Sequence, residues 1–176
     1  GERGYRNIKV YDTMTVWEIK EPCYKYFDTL KSFVPEFNQG HFFNIGLDVL
    51  SNHFMACINH KDTGNYETLV KSLVAKNYFI NITSEQVAEL NGIVGEIFDG
   101  IEDFVLNTLR EEKPVIFGAS VYRGTTATST FALRLVKRNY PGIMTVMGGA
   151  IFSQELCPNT PGYDDYLRYA HFVDKF

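Results

Sequence analysis

Val115-Ile116-Phe117-Gly118-Ala119-Ser120-Val121 and, further along, Ile143-Met144-Thr145-Val146-Met147-Gly148-Gly149 are the two stretches on which the fold reading turns. Each is short and almost uninterruptedly apolar, the composition of a strand covered on both faces of a parallel sheet. Between them lie a polar loop, Tyr122-Arg123-Gly124-Thr125-Thr126, and a segment to about Asn139 whose Phe131, Ala132, Leu135 and Val136 fall on one helical face. Thr125, Thr126 or Thr128 can cap that helix, Lys137 and Arg138 suit its last turn, and Pro141-Gly142 stops it. Strand, helix and strand make a βαβ unit. Its crossover renders the strands parallel and brings their carboxyl ends to one edge.

Working outward, Lys113-Pro114 ends a preceding helix. Thr83-Ser84-Glu85-Gln86 reads as a capping box that opens it, and Val87, Leu90, Val94, Ile97, Ile101, Phe104 and Val105 form one stripe up to about Arg110. Gly92, Gly95 and Gly100 permit a bend. Leu47, Leu50, Phe54 and Ile58 predict a helix over residues 44–58, and Leu69, Val70, Leu73 and Val74 another over residues 67–78. Residues 16–33 are weakly helical and interrupted by Pro22, while residues 7–11 alternate as a short strand. The fold expected is a three-layer Rossmann-like α/β domain, a parallel sheet flanked by helices and preceded by helical segments.

The chain of 176 residues, 45% hydrophobic and 22% charged, fits one domain spanning residues 1–176 and excludes a disordered tail, a coiled coil or a collagen-like repeat. With 17 Lys and Arg against 21 Asp and Glu, the net charge of −4 offers no general attraction to phosphate backbones or anionic lipid surfaces, so neither nucleic acid nor membrane is an expected partner. Apolar runs such as residues 114–121 fall short of the ~20 residues that span a bilayer, and no charged and apolar leader opens the chain. A cytoplasmic location is expected. Cys23, Cys57 and Cys157 are isolated and odd in number, which suits reduced thiols better than a disulfide framework or a closed zinc site. The 15% aromatic content is high for a small core and suggests rings over a groove or between domains.

Two loops meet at the carboxyl edge of the strands, residues 120–126 and 148–153. Ligands of open α/β sheets bind there, where strand ends and helix N-termini supply N–H groups and hydroxyls. Gly148-Gly149 has no side chains, so an extended ligand can lie against the backbone; a tight strand-to-loop turn would use the same pair. Gly124 allows the same approach in the other loop. Arg123 is placed to pair with a phosphate or an amide oxygen, or to be solvated. Phe152-Ser153-Gln154-Glu155-Leu156 and residues 158–162 follow as a rim, with Tyr122, Phe152 and Tyr163 as aromatic walls. His41, His53, His60 and His171 show no metal-ligand spacing, and Asp164-Asp165 reads as solvated or capping. No G-x-G-x-x-G or phosphate-loop lysine motif occurs, which disfavours a generic nucleotide-binding enzyme.

Residues 113–152, with their order Pro-Val-Ile-Phe-Gly-Ala-Ser-Val, helix, Tyr-Pro-Gly-Ile-Met-Thr-Val-Met-Gly-Gly, resemble the second half of the cobalamin-binding domain found ahead of radical-SAM domains. Ser120-Val121-Tyr122 is similar to the family's Ser-x-Leu element, and Gly148-Gly149 to its Gly-Gly element. The resemblance implies a corrin over the carboxyl edge with its nucleotide tail beside the two loops. On that basis the cofactor-binding residues would be Ser120, Val121, Tyr122, Arg123, Gly124, Thr125, Gly148, Gly149, Ala150 and Ile151. Residues 170–176 look like the family's next strand, which runs on into a radical-SAM barrel.

Two departures bear on the chemistry. Tyr122 replaces the usual Leu, and the Asp-x-His-x-x-Gly sequence that supplies an axial histidine is absent; His60-Lys61-Asp62-Thr63-Gly64 has the wrong spacing. No protein histidine is therefore expected on cobalt. Cys23, Cys57 and Cys157 cannot supply the C-x-x-x-C-x-x-C set of a radical-SAM cluster. The expectation is a fragment without catalytic residues or a metal site of its own. Its partner would be a radical-SAM domain of the same chain, beyond residue 176, that holds the iron–sulfur cluster and S-adenosylmethionine of a methyltransferase or oxidoreductase. The alternative is a non-catalytic α/β interaction or regulatory domain that has lost cobalamin binding.

Overall fold

The structure is a computed structural model that describes residues 7–60, 62–154 and 156–176. In chain order its elements are α1 (Trp17–Phe33), α2 (Glu36–Gln39), α3 (Phe42–Asn59), α4 (Thr63–Tyr78), α5 (Ser84–Glu112), β1 (Ile116–Ser120), α6 (Thr126–Asn139), β2 (Met144–Gly148), α7 (Ile151–Gln154) and α8 (Pro161–Tyr169). The residues before Asn7, Lys61 of the His60-to-Gly64 stretch and Glu155 of the expected rim lie outside the described residues.

The predicted capping box is made. Gln86 N–H donates to Thr83 Oγ1 at 3.3 Å, and Thr83 N–H donates to Gln86 Oε1 at 2.9 Å. From this cap α5 buries Val87, Leu90, Ile93, Val94, Ile97, Phe98, Ile101, Val105 and Leu109, a stripe wide enough to be covered from several sides. Lys113, in left-handed conformation at φ 45°, closes its far end by donating to Leu109 O. α1, α3 and α4 join it in one core that includes Tyr26, Leu30, Val49, Phe54, Val70, Val74 and Tyr78.

Pro22 does not interrupt α1, contrary to the sequence expectation. Proline lacks the N–H that would bond Glu18 O, and that carbonyl instead faces Gly100 of α5. A Cβ on Gly100 would lie 2.7 Å from Glu18 O. The glycine thus admits the backbone of α1 where the two helices cross. Gly95, on the same helix, would place a Cβ in open space. Gly100→Ala is therefore expected to cost about 2 kcal/mol, the overlap outweighing the gain in helix propensity. Gly95→Ala should instead stabilise by up to ~1 kcal/mol, because alanine suits a helix interior better. Urea midpoints of the two variants check this; equal shifts would remove the crossing from the account.

The three-layer Rossmann-like expectation is overturned. Among the described residues 69% are helical, with only two short parallel strands. The physical reason lies in what the helices bury. Their apolar faces pack mainly on one another, so the principal core sits among helices and the sheet lies at its margin. β1 alternates exposed and half-buried positions, with Ile116 42% exposed and Val115 just before it 80%, so it is not covered on both faces. Residues 7–11 form no ladder either; Lys9 Nζ pairs with Glu112 Oε1 at 2.5 Å and the Tyr11 ring meets Phe104 edge-on.

The βαβ unit itself is present. β1 and β2 pair in parallel from Ile116–Met144 to Ser120–Gly148, with α6 between them in the chain. On the far side of β2, Val146 makes an isolated parallel bridge to Lys175, so residues 170–176, expected as a next strand, contribute one bridge and no ladder. Asp174 holds it there. Its Oδ2 accepts from Thr145 N–H at 2.7 Å and from Lys137 Nζ at 2.6 Å, and the lysine ammonium keeps this carboxyl well below the usual range. Val121, Leu133, Met147, Ile151, Ala170, Phe172 and Val173 form a second, smaller core beneath the carboxyl edge.

Candidate functional site

β1 and β2 end side by side, with Ser120 opposite Gly148. The chains beyond them stay joined: Val121 N–H donates to Gly148 O at 2.7 Å, and Ile151 N–H donates to Val121 O at 3.1 Å. This lacing requires the second glycine. Gly149 has φ 111°, and a Cβ there would lie 2.5 Å from Val121 O and 2.6 Å from Val121 N. The backbone that approaches Gly149 is thus Val121, not an external molecule. Gly148 differs, because a Cβ on it would meet nothing within 4 Å. The pair divides its work: one glycine makes the turn, the other leaves space.

The ten residues implied by the resemblance fall into three groups. Ser120, Tyr122, Arg123, Gly124, Gly149 and Ala150 are exposed, while Thr125 and Gly148 are half-buried. Val121 and Ile151 are buried in the small core and support the edge from below. The Tyr122 ring lies over Gly124, 3.6 Å from where its Cβ would be. Thr125 Oγ1 accepts the Tyr122 N–H at 3.1 Å and ties the loop into a tight turn. The threonine hydroxyls at the start of α6 donate back to carbonyls, Thr126 to Tyr122 O and Thr128 to Thr125 O, rather than capping the helix. α3 flanks the loop, with Asp48 Oδ1 3.9 Å from Arg123 Nε and Ser51 Oγ 3.4 Å from Gly124 O. Phe152 meets Tyr163 and Phe176 edge-on beside the glycine loop, so part of the aromatic excess gathers at this rim.

A second polar constellation forms around His53, for which the sequence showed only the lack of metal-ligand spacing. His53 is fully buried. Its Nδ1 is 2.9 Å from Tyr26 Oη, and its Nε2 is 2.8 Å from both Tyr66 Oη and Asn91 Oδ1. The buried Tyr26 hydroxyl faces only this acceptor among the described residues, so it donates to Nδ1 and the ring proton sits on Nε2. Burial pushes the His53 pKa down to about 4 and drives that of Tyr26 upward. The available signal was periodicity, since His53 lies between Leu50 and Phe54 on the buried face of α3. The polar partners come from α1, α4 and α5, which periodicity cannot assemble.

Among the described residues, no group of three or more His, Cys, Asp or Glu side chains is placed to hold a metal ion, and no helix is long and apolar enough to cross a membrane. Cys23, Cys57 and Cys157 form no disulfide, and burial raises the Cys23 thiol to about 11. Comparison with family models, characterised proteins and solved structures finds no match for this chain.

Proposed function

We propose that this chain carries a cobalamin against the carboxyl edge of β1 and β2, as the cofactor-holding part of a radical-SAM enzyme. The reading rests on the pair Ser120 and Gly148. An exposed hydroxyl and an unobstructed glycine lie opposite each other at the ends of two parallel strands, the pattern of a slot for an extended polar tail. The residues fit in part. Ser120, Tyr122, Arg123, Thr125, Gly148 and Ala150 would hold the group, while Val121, Gly149 and Ile151 shape the edge beneath it. When bound, the corrin would supply the cobalt chemistry of a methyl transfer or a rearrangement. This chain's own residues bind and orient it, and the iron–sulfur cluster and S-adenosylmethionine belong to another domain.

Reconstitution with hydroxocobalamin followed by desalting tests the reading. Retained corrin absorbance is expected for the wild type. Gly148→Leu should lose it with an unchanged near-ultraviolet circular dichroism spectrum, because a Cβ at this position meets nothing within 4 Å and the side chain is directed into the slot. No retention by the wild type would overturn the proposal and leave a non-catalytic interaction domain as the reading. Equal retention by Gly148→Leu would remove the slot.

A further inference from the structure

Away from the sheet edge, the ends of α3, α4 and α5 enclose a cleft of about 360 Å³ whose walls include Cys57, His60, Tyr66, Val87, Asn91 and Gly95. We propose that this cleft binds a small, neutral, planar ring bearing a carboxamide or lactam carbonyl.

A buried polar network lies behind the cleft. Asn91 Oδ1 is engaged from within the protein, by His53 Nε2–H at 2.8 Å and by the Tyr66 hydroxyl at 2.9 Å. Two inward donors on one oxygen fix the rotation of the amide, so its Nδ2 is turned away from them. Among the described residues Nδ2 makes no hydrogen bond. No fully buried side-chain nitrogen or oxygen among the described residues lacks a partner, so this amino group is not fully closed off, and Asn91 lines the cleft. The Asn91 amino group therefore gives the cleft a preset N–H donor that calls for a carbonyl acceptor.

The walls define the rest of the ligand. His60 is stacked on Tyr66 with ring centroids 4.4 Å apart and planes at 28°, and its Nδ1–H is anchored on Cys57 O at 2.7 Å. That pair makes an aromatic wall suited to a flat ring. Val87 and Ala88 supply apolar surface. The carboxylate at the rim is paired, since Glu67 Oε1 meets Lys71 Nζ at 2.6 Å and accepts from Ser84 Oγ at 2.6 Å, so this pair brings no net charge to the rim. Gly95 keeps the floor open. It sits inside a helix where alanine would be the better residue, and no neighbour within 4 Å requires its lack of a Cβ. The volume lies at the small end of ligand sites, enough for a single ring with its substituent.

Nuclear magnetic resonance titration of the full chain tests the site, with nicotinamide as probe and 3-methylpyridine as its counterpart without the carbonyl. The Asn91 side-chain amide pair is assigned by its loss in Asn91→Asp. Nicotinamide should shift this pair saturably, and 3-methylpyridine should bind at least about tenfold more weakly for want of one hydrogen bond of about 1.4 kcal/mol. Gly95→Leu, which fills the floor, should abolish the shift while the dispersion of the other amides shows the fold intact; Gly95→Ala should retain it. The proposal is overturned by no saturable shift in the wild type, by equal binding of the two probes, or by a shift that persists in folded Gly95→Leu. Should Gly95→Leu fail to fold, the comparison of the two probes on the wild type decides alone.

Discussion

Gly149→Ala should cost about 4 kcal/mol, whereas Gly148→Ala, one residue earlier, should stay within about 0.5 kcal/mol of the wild type. Two costs combine at Gly149. Its φ of 111° lies where only glycine is at ease, which alone costs about 1 to 3 kcal/mol in other residues. The added methyl would also sit 2.5 Å from Val121 O and 2.6 Å from Val121 N, both backbone atoms that no rotamer change can move. Relief requires the loops to part, which breaks the bonds from Val121 N–H to Gly148 O and from Ile151 N–H to Val121 O. Each is worth about 1 kcal/mol and leaves a polar group beside the small core. Urea unfolding gives the stability difference, and hydrogen exchange at Val121 and Ile151 reports the loops. A Gly149→Ala protein with the midpoint of Gly148→Ala would sink this account of the lacing.

Acidification from pH 6.5 to about 4 should remove roughly 3 kcal/mol of stability through His53 alone, the equivalent of its pKa displacement. The sign follows from which state takes the proton. Above pH 6.5 the ring is neutral in both folded and unfolded chains, and this group adds no pH dependence. Below that, the unfolded chain binds a proton near the ordinary value, while the folded chain resists until about pH 4 because desolvation disfavours the cation. Stability is present above the window and lost across it. The facing groups do not counter this, since Tyr26 and Tyr66 have their pKa values raised by burial and Asn91 does not titrate. Exposed carboxylates with lowered values, Glu67, Glu85 and Asp174, act below their ordinary ranges of 4.5 and 3.8. Urea midpoints taken across the window should fall steeply for the wild type and remain flat from pH 6.5 to 5 for a His53→Gln variant, whose starting stability is lower. An equal slope in both proteins would show that His53 is not the titrating group.

Local signals were legible wherever a residue's role depends on its near neighbours. The capping box at Thr83 and Gln86, the stripe of α5, the helix ahead of Pro141-Gly142 and the two apolar strands are all recoverable from short spacings. Pro22 misled for an instructive reason. A proline normally breaks a helix interior, but the carbonyl it leaves unbonded here faces Gly100 of a helix far away in sequence. The candidate edge was legible as a pair of loops, yet the different duties of Gly148 and Gly149 were not. They are adjacent glycines where β2 runs into α7, and only the position of the Val121 backbone tells them apart.

What the chain's sequence determined by itself is its longer elements, α3 to α6 with β1 and β2, because helix and strand periods and end signals act over a few residues. The architecture was decided by tertiary packing. The same apolar strands suit a buried sheet or a marginal one, and the choice depends on how much surface the long helices bury against each other. The polar network of His53, Tyr26, Tyr66 and Asn91 belongs to the same class, since four residues from four helices acquire their tautomer, their neutrality and the outward-facing amide only when those helices meet.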